Sequence, residues 1–336
     1  MIVLYWLQRP APATVDAARQ AVKVGAKPNM KGGQEMQSTA DLMRNARKAG
    51  VVIPAFNVPY LPMVEPVIRA VVDEDSFALV ETALLEWTKF EGKSAAAVME
   101  EFLKYHDPDH VRLHLDHVPV IDEENERVSY LAVIAEAIGL GYQSVMVDGS
   151  RLDLEENIAA TRLVAELAHA AGIPCEAELG AVLGHEAGPP PPYEELFESG
   201  MGFTDIEEAK RFVQETGCDW LSVAIGNIHG AVSGALKDKK KVEARLNLDH
   251  LEKLYQATGI PLVLHGGSGV KQDYVLAGIK KGIAKVNVGT EIRQAYEQAL
   301  RKSGSVSAAQ DAVYVRTAWV IRDYFGISGD RELVTG

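Results

Sequence analysis

Three histidines stand just past short apolar runs, each among chemically loaded neighbours. His117 closes His114-Leu-Asp-His117, His229 lies in Gly226-Asn-Ile-His-Gly230, and His265 leads into Gly266-Gly-Ser-Gly269. Histidines at strand ends are a common way to build a metal site with an open coordination position. The glycines beside His229 and His265 bare backbone N–H groups that suit a phosphate. A metal next to a phosphate cradle points to chemistry on a small phosphorylated molecule.

Such residues need a scaffold that brings distant strand ends together. From residue 51 onward, apolar runs rich in strand formers alternate with helical patterns. The runs are Val51–Phe56, Phe77–Val80, Val111–Leu115, Ser144–Val147, Pro174–Ala177, Trp220–Ile225, Leu262–Leu264 and Ala284–Val288. Continuous apolar runs, rather than alternating ones, mark strands buried on both faces of a parallel sheet. Units of this kind, repeated over about 250 residues, predict a TIM (β/α)8 barrel of the α/β class. An open doubly wound sheet is the alternative, and would leave its edge strands less uniformly apolar. Polar residues gather at the C-terminal ends of the runs: Asn57, Glu81, Asp116, His117, Asp148, Glu178, His229, His265 and Asn287. In a barrel that rim is where catalysis occurs.

Residues 1–35 carry Pro10, Pro12, Pro28 and Gly32-Gly33 without a sustained period, which predicts a loosely ordered extension. Residues 36–336 then form a single barrel domain with a C-terminal helical segment. Ser38 or Thr39 offers an N-cap for the first helix. Two stretches break the rhythm. Gly184 to Gly202 contains Pro189-Pro-Pro-Pro192, and Gly230 to Asn247 contains Lys237-Asp-Lys-Lys-Lys241. Long loops after such strands tend to be lids or binding loops, although a lysine run by itself reads as a solvated turn.

Composition narrows the partners. A net charge of -13 over 336 residues argues against nucleic acid and anionic membranes as targets, since both want basic surface. A local cluster of donors can still hold a small anion. Two cysteines, Cys175 and Cys218, are too few for a disulfide framework, so a reducing, cytoplasmic setting is expected. No apolar run reaches the ~18 residues of a membrane span. Met1–Leu7 is apolar but lacks the basic start and cleavage site of a secretory signal.

Several motifs in order resemble one family. They are Pro54-Ala-Phe-Asn-Val58, His114-Leu-Asp-His117, Ser144-Val-Met-Val-Asp-Gly-Ser150, Glu176-Ala-Glu-Leu-Gly180, Val223–Gly230, Leu262–Val270 and Lys285-Val-Asn-Val-Gly-Thr-Glu291. Together, from about Ser38 to Arg301, they are similar to class II, metal-dependent ketose-phosphate aldolases of the fructose- and tagatose-bisphosphate type. The resemblance implies that His117, His229 and His265 ligate Zn2+, with Glu178 a carboxylate that approaches the metal when substrate is absent. A strand-end ion pair is the equal alternative for Glu178, and Asp148 stands in the same position. By the same resemblance Asp116 is the acid/base for the C4 hydroxyl, and Glu186 moves the proton at the enediolate carbon. Gly230, Gly266, Gly267, Ser268, Asn287 and Thr290 hold the dihydroxyacetone-phosphate end, and Asn57 and Thr82 are weaker substrate contacts. Many members also use a monovalent cation, Na+ or K+, at the phosphate loop, and assemblies of like subunits are common. His114 shares the strand face of Asp116, which suits a structural role better than ligation.

The departures fall mostly around the aldehyde half of the site. Arg151 follows Asp148-Gly-Ser where the family often has histidine. The text Glu81-Thr-Ala-Leu-Leu-Glu-Trp87 is unusual, and so is the proline run. Leu183 stands where the catalytic loop normally has its first glycine, which stiffens that loop. The resemblance implies fructose or tagatose 1,6-bisphosphate, or a ketose 1-phosphate, as the default substrate. A non-phosphorylated or carboxylated aldehyde is the alternative, and a non-catalytic metal- and phosphate-binding barrel is a third reading.

Overall fold

The computed structural model describes residues 37–180, 193–227 and 244–336, leaving aside the side chain of Ser268. The extension 1–35, Glu186, His229 and Gly230 lie outside the described residues. Eight parallel strands follow one another around a closed barrel, and the last pairs with the first. They are β1 (Ile53–Asn57), β2 (Ala78–Ala83), β3 (Val111–Asp116), β4 (Ser144–Val147), β5 (Cys175–Leu179), β6 (Trp220–Val223), β7 (Leu262–Leu264) and β8 (Ile283–Val288). Almost every strand residue is buried, because helices cover the outer face while side chains fill the inner one. The expected TIM barrel is thus the observed fold.

The helices begin and end where local chemistry favours it. In α1 (Thr39–Ala49) the Ser38 hydroxyl accepts from the Asp41 N–H at 3.1 Å, and Gly50 leaves the helix at φ 73°. Around the barrel follow α2 (Val64–Asp73), α3 (Leu84–Thr88), α4 (Ala95–Tyr105), α5 (Tyr130–Leu140), α6 (Leu154–Ala170), α7 (Tyr193–Ser199) and α8 (Ile206–Thr216). Next come α9 (Leu248–Thr258), α10 (Gln272–Lys281), α11 (Thr290–Ser303), α12 (Val306–Trp319) and α13 (Arg331–Thr335). Among the described residues no helix is long and apolar enough to cross a membrane.

One mouth of the barrel is plugged. Leu42, Met43 and Ala46 of α1 and Val334 of α13 pack with Ile53, Phe77, Trp220 and Val263 in one apolar cluster. Asn45 ties the two helices by donating to the Val334 carbonyl at 2.9 Å. These strand residues lie at or near the starts of their strands, so the plug seals the N-terminal mouth and leaves the C-terminal mouth to chemistry.

The register corrects one expectation. Strand β2 runs on past Val80 to Ala83, and Ala83 rather than Glu81 is level with Asp116. Side chains alternate along a strand, so Glu81 points into the barrel one step below the rim, and it is wholly buried. Thr82 faces the other way. Its hydroxyl accepts from the Trp87 indole N–H at 3.1 Å.

Candidate active site

Asp116 ends β3 and is 2% exposed. Both of its oxygens are held. The Asn57 amide, at the end of β1, donates to Oδ2 at 2.9 Å, and the Asn287 amide, on β8, donates to Oδ1 at 3.1 Å. Burial by itself would raise the pKa of this carboxyl. The positive charge of His117, Lys285, His265 and His114 outweighs that and holds it below the usual carboxylate range. An ionised carboxylate clamped in one orientation is what a general base requires.

Beside it, His117 turns Nδ1 to Asp148 Oδ2 at 3.2 Å. The other Asp148 oxygen accepts from the Ser150 N–H at 3.0 Å and the Ser150 hydroxyl at 2.6 Å. A carboxylate on one imidazole nitrogen fixes the ring and assigns ligation to the other nitrogen. His265, just past β7, lies between two acids. Its Nε2 is 2.9 Å from Glu176 Oε1 and its Nδ1 is 3.1 Å from Glu178 Oε2. Burial and the neighbouring His117 push the His265 pKa down, but Glu176 and Glu178 more than offset them and lift it to about 9. The two rings meet edge to face with centroids 4.4 Å apart. Ligand atoms of Asp116, His117 and His265 lie within 4.8 Å of one another, as do those of His117, Asp148 and Glu178. Imidazoles and carboxylates converging at this range fit a divalent cation such as zinc.

The matching family model, that of class II fructose-bisphosphate aldolase, spans residues 37–323. This chain belongs to the class II fructose-bisphosphate aldolase family. Fructose-bisphosphate aldolase of Streptococcus pyogenes is 36% identical over 283 residues, covering 82% of this chain and 86% of that protein. The Streptococcus pneumoniae enzyme of the same name is 36% identical over 282 residues, with the same coverage. Among solved structures, the YdjI aldolase of Escherichia coli K12 superposes with a TM-score of 0.69 at 28% identity, covering 88% of this chain and all of that one. The protein is an aldolase, a lyase acting on carbon–carbon bonds.

In this aldolase β7 leads into a tight glycine turn and β8 into a helix start. Gly266 adopts φ 67° directly after His265, and a short turn over Gly267–Gly269 follows. Alongside, Thr290 opens α11, whose N-cap Gly289 makes no side-chain capping bond. A Cβ at Gly289 would stand 3.1 Å from Asn57 Oδ1, so glycine lets this helix end approach the site closely. Adjacent β7 and β8 thus bring the Gly266-Gly267 turn and the Thr290 helix start side by side, and a helix start is a place that suits an anion. Arg151 is elsewhere; it is exposed and donates to the Asp122 carbonyl at 3.0 Å.

With Glu81, two charged residues that the sequence patterning passes over, Glu176 and Lys285, line the barrel directly below the rim. Lys285 Nζ is 2.9 Å from Glu176 Oε2 and 3.1 Å from Glu81 Oε2. Glu176 also accepts from the Trp220 indole at 2.6 Å and lies 3.3 Å from His114 Nε2. His114, held by the Ser144 hydroxyl at 2.8 Å, belongs to this layer. A two-residue spacing was the available signal. Glu176 precedes Glu178, and Lys285 precedes Asn287, each on one strand face.

Proposed function

We propose that this aldolase is a zinc enzyme that reversibly cleaves a ketose 1,6-bisphosphate or ketose 1-phosphate into dihydroxyacetone phosphate and an aldehyde. The observation that carries the reading is the double amide clamp on Asp116 next to His117 and His265. His117 and His265, with His229 from outside the described residues, would hold the ion, and Glu178 would approach it when substrate is absent. When bound, the zinc supplies a Lewis acid that polarises the ketone and stabilises the enediolate.

The chain's own residues do the rest. Asp116 takes the proton of the C4 hydroxyl as the C3–C4 bond breaks and returns it in condensation. Asn57 and Asn287 keep that carboxylate aimed. Gly266, Gly267, Ser268, Asn287 and Thr290, with Gly230, bind the phosphate of the dihydroxyacetone-phosphate half, with Na+ or K+ as a further candidate at this loop. Glu186, on the segment after β5, delivers a proton to the enediolate carbon once the aldehyde has left. A cytoplasmic setting fits the free buried Cys175 and Cys218, and the family resemblance is the ground for a homo-oligomer.

One observation favours an aldehyde half without phosphate. Ala83 is level with Asp116 in the register, and the next residue, Leu84, donates its N–H to the His117 carbonyl at 3.4 Å. Ala83 thus puts a methyl group, not a cationic side chain, level with the base. A coupled assay for dihydroxyacetone phosphate, run over ketose 1-phosphates and 1,6-bisphosphates with and without chelator, tests both readings. No release from any of them would overturn the function; release from 1-phosphates alone selects the second reading.

A further inference from the structure

Barrel interiors are usually filled by branched apolar side chains. In this one the layer beneath the active site is ionic: Glu81, His114, Glu176 and Lys285 are all 0% exposed. Taking such groups out of water costs several kcal/mol per ion, and well-packed apolar residues in their place are often neutral or stabilising. Fold stability is therefore a poor reason for this layer.

Its connections suggest another. Glu176 gives one oxygen to Lys285 at 2.9 Å and the other to His265 Nε2 at 2.9 Å. Lys285 Nζ stands 4.0 Å from Asp116 Oδ1, the oxygen that also accepts from Asn287 at 3.1 Å. Lys285 and Asn287 project from the same face of β8, so ammonium and amide reach one carboxylate from adjacent levels.

We propose that Lys285 is a positioning residue for the aldol reaction: its buried ammonium links Asp116 to His265 through Glu176, giving base and ligand imidazole one rigid support. The inference rests on the aldolase reading above. Lys285 touches no reacting atom. It sets where two reacting-site groups stand relative to each other, and a displacement of about 1 Å there can cost about 10²-fold in rate.

The test must separate positioning from folding. Lys285→Met alone leaves the Glu81 carboxyl, which has no hydrogen-bond partner among the described residues, without the ammonium 3.1 Å away. The informative variant is therefore Glu81→Leu/Lys285→Met, which removes both charges and keeps the volume apolar. Glu176 loses the ammonium at 2.9 Å but keeps Trp220, His114 and His265 as partners, so the variant is expected to fold with a lower melting temperature than the wild type. Its kcat for cleavage should fall about 10²-fold with KM changed less than about 3-fold. Loaded with Co2+ in place of Zn2+, it should show a shifted visible absorption band and roughly 10-fold weaker Co2+ binding, because His265 has lost its indirect anchor. A folded double variant with wild-type kcat and an unchanged Co2+ spectrum would overturn the proposal. Should the wild type cleave no ketose phosphate, the aldolase reading fails, while the Co2+ spectrum and affinity still decide whether Lys285 orients His265.

Discussion

Asn57 and Asp116 are 59 residues apart in sequence, on strands that are not neighbours, yet an amide hydrogen bond of 2.9 Å joins them across the barrel mouth. With Asn287 on the other oxygen, the carboxylate is fixed in plane and direction. Replacing Asp116 by Ala should lower kcat by ~10²–10⁴, the range for lost general acid/base catalysis, and leave metal content intact. Asn57→Ala should cost less, roughly 10-fold in kcat, since the base remains but loses its aim. Steady-state kinetics with metal analysis on the same preparations checks both. Near-wild-type turnover in the Asp116 variant would reassign it to a structural role.

Asp148 orients His117 and contacts little else that is chemically active. Asp148→Ala is expected to weaken zinc binding by about 10–100-fold, the usual effect of removing a carboxylate that holds a ligand histidine. Competition against a chromophoric chelator measures this directly. Chelator should abolish cleavage by the wild type, and added Zn2+ should restore it. Activity that survives exhaustive metal removal would contradict the zinc assignment.

Glu186 follows Glu178 at the family spacing although Leu183 occupies a glycine position. A group that acts only after cleavage must reach the enediolate yet leave room for substrate entry, and Glu186 follows β5 in sequence, next to the strand end that carries Glu178. Glu186→Gln should abolish exchange of the dihydroxyacetone-phosphate C3 proton with solvent, because an amide cannot take that proton. Substrate should still bind. Proton exchange at the wild-type rate, followed by NMR in deuterated water, would assign the step to another group.

Glu86 offers a test read in stability. Its carboxylate accepts from the Ala83 N–H at 3.0 Å, closing the first turn of α3. Burial raises its pKa from 4.5 to about 8, only partly opposed by that hydrogen bond. Between those values the folded protein keeps a proton that the unfolded chain releases, so this group's contribution to stability is lost as pH rises through about 8. Glu86→Gln retains an acceptor for Ala83 without the ionisation. Relative to the wild type it should gain in melting temperature from pH 5 to pH 9. A constant difference over that range would show that Glu86 does not hold its proton.

The chain by itself determined the barrel, because strands buried on both faces must be apolar throughout and must end in polar residues where the interior opens to water. It also marked Asp116, His117 and His265, whose residue types are costly to bury without a purpose. Other features depended on the closed tertiary structure. That β2 runs past Val80, moving Glu81 below the rim and turning Thr82 outward, follows from pairing with β3 and is invisible in a short apolar run. That Asn57 and Asn287 share one carboxylate follows from closure, which brings β8 against β1. The ionic layer of Glu81, Glu176 and Lys285 is assembled from β2, β5 and β8, and contacts at such separations leave no local period. Sequence pattern records which face of each strand is buried; only the closed barrel decides which buried charges meet.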